Sequence, residues 1–584
     1  MAHRAAQQPQ QPQQQRRYDR QLRIWGDAGQ SALRAASLCA ISATAAAAEA
    51  IKNLVLPAIG ALTLVDGTDL RQLPPTAHFF LSSPQRPHNR AHALVAALHA
   101  LNSDVRTSFI PHHAHEFIDS VSAAYAFVLR FSLVLVADMP ASHTLVRFLS
   151  QAAFRANVPL VLLRCHGMIG YLRVQAPTLC VLNARQDDLP PDLCIHAPFS
   201  HLQALADATD LNAISDTTQL THVPFVIILT KALQLFRAQN DQKLPASPQQ
   251  NKLFENIVRS LRPSHCPADA LNFEEALKRS NLRLCYSQVN HIPPSVQAVL
   301  SHPNADPRTS TAFSVQLESP NHHHVFPQIV HYTKPRPAAH RIAEQQARFW
   351  LIAAAVNMFV NEAGRLPVRG SLPDMTADTE SYLNLQRIYS EKAHKDAKRV
   401  LHFVHAIVDE RGLDLDVDDA LVISFCTNVH AIRVHSTSSI SDELDDWNVD
   451  AFKEAAMLEG GLDPSGTGKA SPYYPILRAV DLFHRANGRY PGSDTVVKDN
   501  DIALMHGYVA TVKEQLGLQS NTGLWRHETE EMVRYANTEL HNVAAFMGGI
   551  AAQEITKILT QQFVPLDNTL IVNMAEQSSI TFAA

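Results

Sequence analysis

The sequence predicts an α/β protein, a Rossmann-like domain split by a large, mostly α-helical insertion. Three observations carry this. Short apolar runs alternate with helical periodicity over roughly residues 37 to 163, the pattern of strands feeding crossover helices. From about residue 176 the strand signal fades and long amphipathic stretches replace it. Near the end an apolar helix, Val543 to Leu559, is followed by a strand at Thr569 to Val572, so sheet-type sequence returns.

Residues 1 to 15 are mostly Gln, Pro and Ala, too polar to offset the entropy of ordering, and are set aside as a tail. Residues 16 to 175 read as the first part of the α/β domain. Ser37 to Ile41 is a strand, a helix runs through Ile51 to Leu54, and Ala61 to Val65 is the next strand. A helix at Arg90 to Leu101, a strand at Leu133 to Ala137, a helix near His143 to Ala156 and a strand at Leu160 to Leu163 follow. This alternation implies a parallel sheet covered on both faces. Residues 176 to 530 form the helical insertion, with helices around Phe225 to Phe236, Phe349 to Phe359, Tyr382 to Val404 and Ile476 to Phe483. Polar stretches at 302 to 340 and 459 to 472, rich in Pro, Gly, Ser and His, read as loops. Residues 531 to 584 complete the α/β domain.

Composition narrows the function classes. The 584 residues are 46% apolar and 18% charged, with a net charge of −5, which offers no broad attraction to nucleic acid or to a membrane surface. The apolar stretch from Leu38 to Val65 is broken by Glu49 and Lys52, and no leader-type segment opens the sequence. Seven cysteines (Cys39, Cys165, Cys180, Cys194, Cys266, Cys285 and Cys426) include no C-x-x-C pair, which points to a reducing compartment, cytoplasmic or nuclear, and to no structural zinc. The run His322 to His324 lies in a Pro-rich polar stretch and reads as solvated loop rather than metal site.

In a dinucleotide-type site, the turn after the first strand carries glycines, so that backbone amides can approach phosphate. Here that turn reads Ser42, Ala43, Thr44, then Ala45 to Ala48. A residue with a side chain in the left-handed region costs about 1–2 kcal/mol, and the methyls would take space a phosphate needs. The pocket is therefore expected to be closed or badly weakened. Asp66, ending the second strand, stands where a ribose- or metal-binding acid would sit, but lacks the glycine turn beside it. Gly460 to Lys469 fails as a phosphate-binding loop, because no glycine lies five residues before Gly468. None of the cysteines sits in a recognisably reactive context: Cys39 lies in one apolar strand and Cys165 ends another.

Tyr18-Asp19-Arg20-Gln21-Leu22, continuing through Trp25-Gly26, Gly29-Gln30 and Ala32-Leu33, resembles the entrance helix of ubiquitin-like modifier activating enzymes. Lys52 to Pro57 and Ala61 to Asp66 are similar to that family's first helix and second strand. Leu366 to Met375, Arg478 to Asp481 and Gly488 to Gly492 resemble the helical insertion of the regulatory, non-catalytic subunits of neddylation-activating enzymes. Ala544 to Gly549 with Ala552 to Glu554 looks like the family's returning helix. The likeness runs from about residue 16 to the C-terminus, and the His-rich stretch at 302 to 340 is its clearest departure.

The resemblance implies a ThiF/MoeB-type pseudo-adenylation domain, and an insertion equivalent to a catalytic-cysteine domain without the cysteine. It implies a heterodimer with a catalytic subunit that holds ATP and Mg, while this chain binds no cofactor or metal alone. The pair would adenylate the C-terminal glycine of a NEDD-type ubiquitin-like modifier, form a thioester on the partner's cysteine and pass the modifier to a conjugating enzyme. Arg20 is the residue placed to reach the partner's ATP site in trans. Read from its neighbours alone, without that resemblance, it is a surface arginine paired with a nearby acid, and Arg23 is an interface or ion-pair residue. An autonomous nucleotide-dependent Rossmann enzyme and a non-catalytic scaffold are the competing readings.

Overall fold

A computed structural model describes residues 17–73, 79–81, 87–141, 143–184, 193–280, 292–313, 338–462, 469–494, 498–518 and 523–584. The polar tail, most of the 302–340 stretch with His322 to His324, Cys285, and Gly466 and Gly468 lie outside the described residues.

The chain divides into two units. The first comprises residues 1–181, 316–343 and 434–584. Its centre is an eight-stranded sheet: β1 (Ser37–Ile41), β2 (Ala61–Val65), β3 (Arg106–Ile110), β4 (Leu133–Ala137), β5 (Leu160–His166), β6 (Ile169–Gln175), β7 (Thr569–Asn573) and β8 (Ser578–Phe582). The spatial order is β8-β7-β6-β5-β4-β1-β2-β3. β1, β2, β4 and β5 are buried along their whole length, which is why they read as largely apolar runs. Leu38 pairs with Leu62 on one side and Leu133 on the other, both in parallel register.

The expectation of a parallel sheet holds for β1 to β5 and needs correction beyond them. β6 runs antiparallel to β5, β7 to β6 and β8 to β7. Only Gly167 and Met168 separate β5 from β6, and a two-residue connection can join only antiparallel neighbours. Gly167 has φ 56°, and a Cβ there would lie 2.3 Å from the Tyr535 ring, so the turn requires glycine.

Among the described residues, the first half of this unit carries α1 (Asp19–Ala35), α2 (Ala45–Val55), α3 (Arg90–Leu101), α4 (Val121–Val128) and α5 (Thr144–Arg155). The helical unit, residues 182–315 and 344–433, contains α6 (Ser200–Ala208), α7 (Thr217–Thr221), α8 (Phe225–Gln239), α9 (Pro248–Ser260), α10 (Leu271–Ser280) and α11 (Pro294–Leu300). It also holds most of α12 (Ala338–Ala363), and α13 (Thr379–Arg411) and α14 (Asp419–Asn428). Phe225, Phe236, Phe254, Phe273 and Tyr389 form the centre of its core.

Residues 434–530, assigned to the insertion from sequence, lie instead in the sheet unit. They form α15 (Ile440–Asp445), α16 (Val449–Glu459), α17 (Tyr473–Asn487), α18 (Lys498–Gln515) and the start of α19 (Arg526–Tyr535), ahead of α20 (His541–Thr560). Trp447, Phe452, Tyr474 and Phe483 share one core with Val136, Leu162, Ile571 and Phe582 of the strands. Helical periodicity shows that a helix has an apolar face but not which surface the face covers.

Candidate functional site: a nucleotide-type turn closed by carboxylates

The order β3-β2-β1-β4-β5 places a crevice beyond the carboxyl ends of β1 and β4, where strand order reverses and open α/β sheets bind ligands. Three segments meet there: the turn after β1, Asp66 after β2, and Asp138 after β4.

The alanines of the turn are not the strained residues. Ser42 takes the left-handed conformation, with φ 72°, while Ala45 to Ala48 are already the first turn of α2. Thr44 caps that helix, its side chain accepting from Ala47 N–H. The methyl-filled turn thus builds a well-formed helix start, and what occupies the N–H groups left without a helical partner decides its chemistry.

Carboxylates occupy them. Ala43 N–H donates to Asp66 Oδ2 at 2.7 Å, and Ala45 N–H donates to Glu539 Oε2 at 2.7 Å. Ala46 N–H and the Thr44 side chain also hydrogen-bond Glu539. Burial nevertheless dominates and raises the Glu539 pKa. An acid from the segment between α19 and α20 therefore sits where helix geometry would hold a phosphate. Sequence reasoning missed Glu539; its one local signal is an acid just ahead of the returning apolar helix.

Asp66 is equally committed. Besides Ala43, it accepts from Thr68 N–H at 2.8 Å and from Arg90 Nε at 2.7 Å. Burial works to raise its pKa, but the Arg90 guanidinium and the two backbone N–H groups together bring it below the ordinary value. Its carboxylate is a structural staple between β2, the turn and α3, not a free ribose- or metal-binding group. Asp138, with φ 53°, is pushed up to about 8 by burial and then by the Glu539 carboxylate. A site lined by Glu539 and Asp138, with Arg90 turned onto Asp66, does not fit a nucleoside triphosphate.

The entrance helix separates into anchor and free residues. Tyr18 is buried, its hydroxyl donating to Asp104 Oδ2 at 2.8 Å. Gln30 Nε2 donates to Pro57 O at 2.8 Å, and Gly26, with φ 68° and ψ 179°, kinks α1 between them. Arg23 pairs with Asp19 at 2.9 Å. Arg20 is exposed and makes no ion pair or hydrogen bond among the described residues, so the surface pairing open to it in the sequence falls to Arg23.

The six described cysteines are buried. Burial raises the thiols of Cys39, Cys165 and Cys180, and pushes Cys426 up to about 12, so none of these four is poised as a nucleophile. No group of three or more metal-ligating side chains occurs among the described residues, and no described helix is long and apolar enough to cross a membrane.

The ThiF family pattern matches residues 18–583, spanning the sheet unit on both sides of the helical one. The chain belongs to the ThiF family. Within it, the chain is 33% identical over 571 residues to the NEDD8-activating enzyme E1 regulatory subunit of Danio rerio, covering 97% of this chain and 98% of that one. The Xenopus laevis protein of the same name is 32% identical at the same coverage. The NEDD8-activating enzyme E1 regulatory subunit AXR1 of Arabidopsis thaliana is 29% identical, covering 98% and 97%. This ThiF-family chain resembles these regulatory subunits along almost its whole length, the helical unit included.

Proposed function

We propose that this ThiF-family chain is the regulatory subunit of a heterodimeric enzyme that activates a NEDD8-type ubiquitin-like modifier. Its full-length likeness to proteins of that name supports the reading, and the Glu539 carboxylate on Ala45 N–H carries it physically. With its own phosphate position filled by an acid, the chain needs a partner subunit to supply ATP and Mg, a catalytic cysteine and the adenylation of the modifier's C-terminal glycine. The thioester then forms on the partner, and a conjugating enzyme receives the modifier. The buried free thiols of Cys39, Cys165, Cys180, Cys266 and Cys426 support a reducing, cytoplasmic or nuclear location.

Arg20 is the residue through which the chain contributes to chemistry. It projects from a helix anchored by Tyr18 and Gln30, and its guanidinium is free to bind phosphate oxygens in the partner's site. There it stabilises charge developing on the departing pyrophosphate. Arg20→Ala, in an intact heterodimer, is expected to lower modifier-dependent ATP–pyrophosphate exchange by about 10²–10³-fold, the loss typical of one such donor. Undiminished exchange would remove Arg20 from the reaction and leave the chain a scaffold. Calorimetry of the isolated chain is expected to show no ATP uptake; tight, stoichiometric uptake would instead identify an autonomous nucleotide enzyme.

A further inference from the structure

The helical unit carries a cleft of about 750 Å³. Leu205 of α6, Ile214 before α7, Val223 between α7 and α8, and Ile227 of α8 give it an apolar lining. The start of α13 also lines it, through the cap residue Asp378 and through Thr379, Glu380, Ser381 and Asn384. The size falls within the range of ligand sites, about 300–1,000 Å³.

The charges in this cleft select the class of ligand. A helix N-terminus ordinarily attracts anions, but Asp378 already fills this one: its carboxylate accepts from Ser381 N–H at 2.8 Å and from Ser381 Oγ at 2.7 Å. Glu380 stands exposed beside it, and the one basic side chain in the lining is His222, whose Nδ1 is hydrogen-bonded to Thr218 O at 2.7 Å. Lys231, one turn beyond Ile227, directs its ammonium to Ala206 O at 2.8 Å. A phosphate or carboxylate ligand would meet like charge, whereas a cation finds the Glu380 carboxylate, which makes no ion pair among the described residues, next to aliphatic side chains. Thr209, Thr218, Gln219 and Asn384 supply the hydrogen-bonding groups that an amide backbone needs.

We propose that this cleft is a docking site for a peptide segment of a partner protein, one that sets a lysine or arginine beside aliphatic side chains. No residue of the closed turn takes part, so this proposal and the regulatory-subunit reading can fail separately.

The test uses the full-length chain and fluorescent eight-residue peptides of three kinds: alternating leucine and lysine, leucine and glutamate, or serine and lysine. Saturable binding of the leucine–lysine peptide is expected, with both others at least about tenfold weaker. Glu380→Lys and Gln219→Trp change exposed rim residues, one reversing the charge and the other obstructing the cleft. Each is expected to weaken the leucine–lysine peptide about tenfold with unchanged thermal melting. The proposal is overturned if no peptide binds, if the glutamate or serine peptide binds equally well, or if both variants bind as the parent does.

Discussion

A carboxylate in a buried turn can do structurally what a phosphate does in a nucleotide enzyme. The N–H groups at the start of α2 need an anionic or polar acceptor, and Glu539 supplies it from within the chain. The cost appears in the neighbouring acid: Asp138 shares the crevice with Glu539, its Oδ1 is buried without a partner, and its pKa rises to about 8. Because that folded value lies above the ordinary value of 3.8, the neutral carboxyl's contribution to stability is complete below about pH 4. It is lost as pH rises toward 8. Asp66 acts oppositely, its lowered pKa giving stability that disappears as the pH falls into the acid range. Asp138→Asn removes the titration and keeps a side chain tolerant of positive φ. Melting temperature measured against pH is expected to show the variant a few degrees above the parent near pH 9, converging toward pH 4. Parallel curves across that range would show that Asp138 is not buried as a neutral acid. The alanine-filled turn was legible from sequence because its sterics are local; Glu539 was not, because nothing near Ala45 in the chain points to a residue 494 positions away.

Among the elements, α2 and α20 depend most closely on each other. A Cβ built on Gly548 would lie 2.6 Å from Glu49 Cβ, 2.8 Å from Ala50 N and 2.9 Å from Ala46 O. Two of these are backbone atoms, so no side-chain rotation relieves the clash. Gly548→Ala is expected to destabilise the chain by about 1–3 kcal/mol in denaturant unfolding, as overpacking does. Gly549→Ala, on the neighbouring position with nothing within 4 Å, is expected to be neutral or stabilising by up to about 1 kcal/mol. Equal effects at the two sites would mean that α20 is not seated on α2 through Gly548. Strand legibility followed unbroken apolar sequence rather than burial, since β6, buried throughout, carries Arg173 and Gln175 and is not legible as a strand. Unbroken runs such as Leu133 to Ala137 declare themselves. β3, an edge strand beginning Arg106-Thr107-Ser108, is exposed at its start and carries too little apolar pattern to be read alone.

The sheet unit as a whole is closed by helices that follow the helical unit in sequence. Arg173 on β6, fully buried, binds Glu443 on α15 at 2.6 Å, and Tyr474 on α17 donates to the same carboxylate at 2.6 Å. Arg164 on β5 pairs with Asp481 on α17 at 2.9 Å. Removing one member of such a pair strands a buried charge, so Arg173→Leu is expected to cost about 3–5 kcal/mol in urea unfolding. Adding Glu443→Leu should recover most of that loss, since an apolar pair replaces an ionic one. A double variant as unstable as the single would show that side-chain shape, not charge, holds α15 in place. Taken alone, the sequence determined the α/β class and the absence of glycine from the first turn, because periodicity and residue identity act over a few residues, whereas Arg20 was singled out by the resemblance of its helix to a family. Tertiary structure decided which acid closes the turn, that Asp66 is a staple, and that residues 434–530 join the sheet. Each of these depends on partners that meet only when distant segments of the chain pack together.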